Sequence, residues 1–423
     1  MDPKAFKTIN KSIPRLDVLD QLTGRMVYGV DMKMPGMLYG KIMRSPHAHA
    51  KIVEIDTSAA EKLPGVHSIC KAEDFPYNAF GFSHMDQPLL AEGKVRYVGE
   101  PVVAVAADTE EIADEALNLI KVTYEQLPVI IDPIEALKPD ACPIHEKGNL
   151  VTHIKFIKGD IDKGFAESDE IIEEHFKTPS VEHVHLEPHV AIAQYSTEGE
   201  YTVWTSAQRP FTSAEGVAKI LKVPQSKIRI VATKIGGGFG GKNEITMEPV
   251  AMVLARKAKR PVKIEYSRED EFLGSTNRHA YHLTYKTGFK RDGTFMARHI
   301  DIISDSGAYV GWGQWTLQKA GVFATGPYNI PHVRIDGRLV YTNKTMGGAM
   351  RGFGTPQVGF AYEAHMDTIA KKLNMDPADL RFKNIFHDGS ITSSGQVLNN
   401  VNLEKTLRKV VEESGWYERR NRK

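Results

Sequence analysis

Two glycine-rich stretches and one glutamine concentrate the chemistry of this chain. The first stretch lies within IRIVATKIGGGFGGKNEITMEPVAMVLARKAKRPVKIEYS, residues 228–267. Gly236, Gly238 and Gly241 satisfy the spacing G-x-G-x-x-G, and Gly236, Gly241 and Lys242 satisfy G-x-x-x-x-G-K. Both spacings clear side chains from a turn so that backbone N–H groups can approach a phosphate. Neither is complete. A triphosphate loop places a Ser or Thr hydroxyl after the lysine to ligate magnesium, and that position is Asn243. A dinucleotide fold needs an acid about 20 residues on, within a βαβαβ series. Glu265 is the nearest acid, and the series does not continue. A nucleotide-binding protein using residues 236–242 therefore stands as the reading of another class. A turn serving only the fold is the plainest reading. Five glycines in six residues weigh against it, because each costs roughly 0.5–1 kcal/mol relative to Ala in regular structure. Such a run means that backbone passes close to something.

The second stretch, TMGGAMRGFGTPQ at residues 345–357, again mixes glycines with a Phe, Phe353, and adds Arg351. A third fragment, VWTSAQRP at 203–210, ends a strand with Gln208. Brought together, these make a narrow cleft rich in donors. Bare backbone holds anionic or oxo groups through its N–H groups, and arginine adds a fixed fork of donors.

Other clusters have plainer readings. His183, His185 and His189 form H-x-H-x-x-x-H, with the first two expected on one face of a strand. Zinc would need more ligands in fixed geometry, so a structural role is favoured, as it is for His47 and His49. Asp301 and Asp305 read as solvated acids on a strand. Glu100, in VGEP, tempts as a base but sits in a strand motif. Trp312 and Trp315 line a substrate funnel or fill a domain contact.

The elements that must position these residues are mixed. Strands are expected in MLYGKIMRS, AKIVEID and RYVGEPVVAVAAD, and a helix in TEEIADEALNLIKV with Thr109 as its N-cap. Residues 126–150 hold four prolines and read as a connector. Beyond it, DEIIEEHFKT and EYTVWTSAQ alternate like antiparallel strands. IRIVATKI is a strand before the first loop, and a helix follows it. Helices are expected near 212–222, 246–258, 358–373 and 403–414, and a hairpin at Arg291-Asp292-Gly293. Strands and helices do not alternate regularly, which points to an α+β fold.

The 423 residues carry a formal net charge of +1, which gives no electrostatic case for nucleic acid. The basic tail ERRNRK reads as a solvated terminus. Two cysteines, Cys70 and Cys142, in no CxxC, speak against a disulfide framework or an iron–sulfur site in this chain, and suit the cytoplasm. No signal peptide is expected at the start, and no apolar run approaches a membrane span.

Five segments in order, RSPHAHAKI, VRYVGEPVVAVAAD, EHVHLEPHVAIA, GGGFGGK and AMRGFGTPQ, resemble the molybdenum hydroxylases, the xanthine dehydrogenase and aldehyde oxidoreductase family. The resemblance runs over roughly residues 18–415. It implies a lead-in at 1–19, an α/β hammerhead domain at 20–128, a connector at 129–150, and the first part of a molybdopterin-binding domain at 151–423. It further implies that Gln208, Gly238, Phe239, Gly240 and Arg351 bind the cofactor, with molybdenum near Gln208, Phe239 and Arg351. Phe353, Asn243 and Lys319 would line the substrate slot. The reaction implied is hydroxylation of an electron-poor carbon with oxygen from water.

The family's base, a glutamate in a Gly-Glu motif far downstream, is not found before Lys423. Iron–sulfur and FAD motifs are not found either. The expectation is a division of labour like that of the nicotinate dehydrogenases of anaerobic bacteria, with this chain as the larger molybdopterin subunit. A second molybdopterin subunit would carry the catalytic Glu, and an Fe–S subunit and an FAD subunit would pass electrons to NAD(P). The pterin would be the cytosine dinucleotide form, with a terminal sulfido or selenido ligand on molybdenum. A fragment of a longer homologue is the other expectation. Purine-oxidising relatives carry a glutamate where Asn243 stands and an arginine where Lys319 stands, nine residues before Tyr328. Their replacement favours a small N-heteroaromatic such as nicotinate over xanthine or another purine. Residues 341–360 lack the cysteine of carbon monoxide dehydrogenases.

Overall fold

The computed structural model describes residues 6–420, so Met1 to Ala5 of the lead-in and the last three residues of the basic tail lie outside it. Two large sheets and a small one organise the chain. The first has seven strands, running edge to edge Ile228–Ala232, Tyr201–Thr205, Val190–Tyr195, Val262–Glu265, Leu38–Arg44, Pro101–Ala107 and Val66–Cys70. Pro101–Ala107 is buried on both faces, as its unbroken run of Val and Ala requires. Ala104 and Ala106 pack with the helix Glu248–Ala258, and Val103 and Val105 pack toward Ala116 of the helix Glu110–Leu119. That second helix begins where the sequence places it: the Thr109 side chain accepts from the Ile112 N–H.

The second sheet has five strands, in the order Leu150–Lys158, His332–Tyr341, Phe295–Gly307, Tyr281–Phe289 and Glu170–Thr178. Tyr281–Phe289 and Phe295–Gly307 form the expected hairpin, with Gly293 at φ 88° in its turn. The helices Gly313–Phe323 and Thr355–Lys372 cover one face of this sheet around Leu317, Val358, Met366 and Ile369. A three-stranded sheet of Lys94–Val95, Ala50–Asp56 and Lys121–Gln126 completes the N-terminal part.

The α+β class therefore holds, and strands of residues 38–107 and 190–265 share one sheet. Leu38–Arg44 pairs in parallel with Val262–Glu265. The helix expected near 246–258 begins at Glu248 as placed, after a 3-10 turn, Gly241–Asn243, that closes the first glycine loop. Two local expectations fail. Residues 182–189 form no strand, and Val184 has φ 46°, so His183 and His185 do not share a strand face. Asp305 is also not solvated: it is 4% exposed and accepts from Thr342 and Lys344. Asp301 pairs with Arg338.

Candidate active site at two glycine loops

Tyr201–Thr205 and Ile228–Ala232 are neighbouring parallel strands, and Thr205 stands opposite Ala232. Their C-terminal ends deliver Gln208 and the first glycine loop to the same place. Parallel strands leave such a crevice at their carboxyl ends. The Gln208 Oε1 accepts from the Gly240 N–H at 3.0 Å and the Lys242 N–H at 3.2 Å. Its backbone N–H donates to the Lys242 carbonyl at 2.8 Å. With its oxygen committed to the loop, the glutamine has its Nε2 amide left to donate elsewhere.

The second loop leads into the helix Thr355–Lys372 and meets the first directly. The Arg351 N–H donates to the Phe239 carbonyl at 2.9 Å. A Cβ on Gly240 would lie 2.4 Å from the Ala349 carbonyl oxygen, and Gly240 has φ 109°. Only glycine permits that approach. Phe239 and Phe353 have matching left-handed backbone, φ 52° and 54°. Such a conformation is strained for a bulky side chain, and it holds only where surroundings enforce it. The N–H groups of Gly237, Gly238 and Phe239 have no acceptor among the described residues. Three successive free N–H groups make an anion-binding nest.

Histidines tie the two loops in place. His183 Nε2 donates to the Ala349 carbonyl at 2.8 Å, and His189 Nε2 to the Gly241 carbonyl at 3.2 Å. His185 Nδ1 donates to the Glu187 carbonyl at 2.7 Å. Among the described residues, the group close enough to hold a metal is His185, His189 and Glu271, with ligand atoms within 4.8 Å of one another. It does not include His183, and Glu271 already accepts from His189 Nδ1 and from the His189 N–H. The H-x-H-x-x-x-H spacing thus serves loop anchoring. Burial pushes the Glu271 carboxyl up, but the hydrogen bonds and charge of His189 outweigh it and hold the group at about 2. Burial lowers His185 to about 4.

Lys242 settles the phosphate-loop alternative against itself. Its side chain is fully buried and bonds to Glu187, through the carbonyl at 2.8 Å and Oε2 at 2.9 Å. Burial lowers its pKa, and Glu187 opposes the shift. Glu187 also accepts from the N–H groups of Gly236 and Gly29, at 2.7 and 3.1 Å. A lysine spent in this way has no reach toward a nucleotide.

Aromatic rings line the approach. Phe82 stacks on Trp312 with centroids 4.0 Å apart, and Trp312 meets Phe353 edge-on at 6.1 Å. The Lys319 ammonium lies 5.9 Å from the Phe353 ring, and the Arg209 guanidinium 4.8 Å from the Trp312 ring. Phe353 and Lys319 are thus neighbours. Asn243 is half-buried directly after the first loop, and Arg351 is exposed on the second. Trp315 is exposed and lies outside the stacked group. Glu100 is buried, and both its oxygens are taken, by the Tyr309 hydroxyl and the Arg96 N–H. Burial raises it to about 7.

Sequence reasoning missed Glu187, Glu271, Phe82, Arg209 and Glu244. The acid between histidines in HLEPH signalled the first, and nothing local signalled the others. Glu244 is 2% exposed with neither oxygen partnered. Burial raises it to about 8, with Trp312 and Arg209 offsetting only part of that.

Residues 144–385 match the molybdopterin cofactor-binding domain, and residues 23–128 match the aldehyde oxidase and xanthine dehydrogenase a/b hammerhead domain. The chain belongs to the molybdenum hydroxylase family as a molybdopterin-binding subunit. It is 40% identical to a probable xanthine dehydrogenase subunit of Bacillus subtilis, over 97% of this chain and 57% of that protein. It is 37% identical to the nicotinate dehydrogenase large molybdopterin subunit of Eubacterium barkeri, over 97% of both. Its fold is similar to the aldehyde oxidoreductase of Desulfovibrio gigas, with TM-score 0.91 and 31% identity, over 95% of this chain and 46% of that one. Quinoline 2-oxidoreductase of Pseudomonas putida gives TM-score 0.91 and 31% identity, over 97% and 55%. The chain thus spans about half the length of the Bacillus relative and of those two enzymes' matched chains. Among the described residues no helix is long and apolar enough to cross a membrane.

Proposed function

We propose that this chain is the larger molybdopterin subunit of a multi-subunit hydroxylase acting on a small N-heteroaromatic, with nicotinate giving 6-hydroxynicotinate. The observation that carries the reading is the locked pair of glycine loops beside Gln208, with free N–H groups at Gly237, Gly238 and Phe239. That donor set fits an oxo- and phosphate-bearing pterin cofactor: it offers successive N–H groups, and no side chain projects from Gly237 and Gly238. Gln208 would donate through Nε2 toward the metal's oxo group. Gly238, Phe239 and Gly240 would carry the backbone past the cofactor, and Arg351 would face it from the second loop. Bound there, a molybdenum-pterin dinucleotide supplies two-electron oxidation with oxygen drawn from water. The balance is C–H plus water giving C–OH, two electrons and two protons.

The protein's own work is positioning and exclusion of water. Phe353 and Lys319 would orient the ring, and Asn243 would replace the acid that purine-oxidising relatives use. The base is assigned to a glutamate on a second molybdopterin subunit. The exposed apolar rim supports a covering partner: Leu186, Phe211 and Phe239 are 90%, 87% and 51% exposed. Fe–S clusters and FAD on further subunits would pass the electrons to NAD(P). The cytosine dinucleotide form of the pterin and a sulfido or selenido ligand belong to the same proposal. Two unpaired cysteines support a cytoplasmic setting.

The test is to purify the complex through this chain, assay molybdenum and pterin nucleotide, and follow nicotinate turnover in 18O-labelled water. Label in 6-hydroxynicotinate is expected. A complex free of molybdenum, or label-free product, overturns the reading. The 40% identity to a probable xanthine dehydrogenase subunit supports a second reading, a purine substrate. Preferential turnover of hypoxanthine or xanthine would establish it.

A further inference from the structure

We infer that Arg209, acting with Lys319, is a specificity-determining residue that selects a flat aromatic substrate carrying a carboxylate. This rests on the reading above and assigns to Arg209 a role that its neighbour Gln208 does not share. Three rings, Phe82, Trp312 and Phe353, form one continuous aromatic group beside the two loops, joined at 4.0 and 6.1 Å. A cation stands over each of two of those rings: Arg209 at 4.8 Å from Trp312 and Lys319 at 5.9 Å from Phe353. Both cations are exposed, and neither forms an ion pair among the described residues, so both are free to meet a ligand.

Arg209 directly follows Gln208 and caps the helix Pro210–Leu221, so its backbone is fixed by the same strand end that fixes the cofactor-facing glutamine. Its side chain is laid against Trp312, which limits the rotamers it would lose on binding. An aromatic wall with cations at two of its rings is complementary to a flat ring bearing delocalised negative charge. The guanidinium fork matches a carboxylate in two parallel hydrogen bonds. A neutral heterocycle would use the rings and leave both charges idle. The hammerhead part contributes to the wall through Phe82, so recognition is shared by two regions of the chain.

The experiment uses the intact complex, as wild type, Arg209→Met and Arg209→Lys. Binding of nicotinate and of its neutral isostere nicotinamide is measured by calorimetry, independently of turnover, and kcat and KM are then measured for both. Wild type is expected to bind nicotinate at least about tenfold more tightly than nicotinamide, the scale of a charge-assisted contact. Arg209→Met should lower the nicotinate-to-nicotinamide ratio of kcat/KM by about tenfold, mainly through KM. Arg209→Lys should recover part of it. Equal binding of the two probes by wild type overturns the inference, and so does an unchanged ratio in Arg209→Met. A complex that hydroxylates neutral N-heterocycles without charge preference refutes the role of Arg209 and leaves the hydroxylase reading standing. A complex that binds nicotinate selectively through Arg209 but hydroxylates nothing refutes the hydroxylase reading alone.

Discussion

Replacing Lys242 with methionine should destabilise the protein strongly, because the lysine is a buried ion-pair partner and not a ligand-binding group. Its side chain is 0% exposed and that of Glu187 is 4% exposed. Removing the ammonium strands the Glu187 carboxylate in a closed site, a change that costs about 3–5 kcal/mol in buried pairs. Two donors would remain on that carboxylate, the N–H groups of Gly29 and Gly236 at 3.1 and 2.7 Å, so the lower end, about 3 kcal/mol, is expected. The Glu187 carbonyl also loses its 2.8 Å donor. Glu187→Gln alone should cost about as much, since it leaves the ammonium without a countercharge. The double variant leaves no buried charge, so its cost should fall short of the sum by roughly 2 kcal/mol. Urea unfolding followed by tryptophan fluorescence measures all three, and hydrogen exchange at 236–242 localises the loss. A change below about 0.5 kcal/mol for Lys242→Met would refute this account of the loop. Tight magnesium-dependent ATP binding that vanishes with the same change would restore the phosphate-loop alternative.

Gly240→Ala should part the two loops, because its Cβ would sit 2.4 Å from the Ala349 carbonyl at a φ of 109°. The expected penalty is about 1–3 kcal/mol, with molybdenum content of the purified complex as the second readout. The Glu271 carboxyl, ordinarily near 4.5, is held at about 2 in the fold. A depressed folded-state pKa gives stability that is full above the unfolded value and lost as pH falls from about 4.5 toward 2. Glu271→Gln should therefore flatten the acid limb of the stability profile by on the order of 3 kcal/mol. Glu244 is the opposite case, raised from 4.5 to about 8: its proton favours the fold at low pH, and that advantage is lost as pH rises through this window. Glu244→Gln should raise the thermal midpoint at pH 8 more than at pH 5, measured by calorimetry, and a uniform fall would contradict the burial argument.

Much of this arrangement was legible in the sequence because glycine and capping signals are local. Thr109 announced its helix, Gly293 its hairpin, and the two Gly/Phe runs announced backbone that must pass close to something. What was not legible depends on partners far apart in sequence. Asn243 argued against a phosphate loop, but nothing local showed that Lys242 pairs with Glu187, 55 positions away. A structural role was favoured for His183, but not its partner, the Ala349 carbonyl 166 positions away. The segment 182–189 alternates like a strand, yet tertiary anchoring of its histidines overrides that pattern and forces Val184 into left-handed backbone. Phe82 carried no signal, since a phenylalanine in an irregular segment has no periodicity to place it.

The parallel pairing of Leu38–Arg44 with Val262–Glu265 also bears on how the chain comes to be folded. The pairing joins residues more than 220 positions apart, so the closure of one large loop must precede completion of the first sheet. During synthesis the early strands Leu38–Arg44, Val66–Cys70 and Pro101–Ala107 emerge with one edge open until residue 265 follows. An unpaired apolar edge is the state that recruits foreign strands. Chains interrupted between residues 128 and 262 should therefore gather into aggregates more readily than the full chain. The same long wait should make completion of this sheet the slow step of folding.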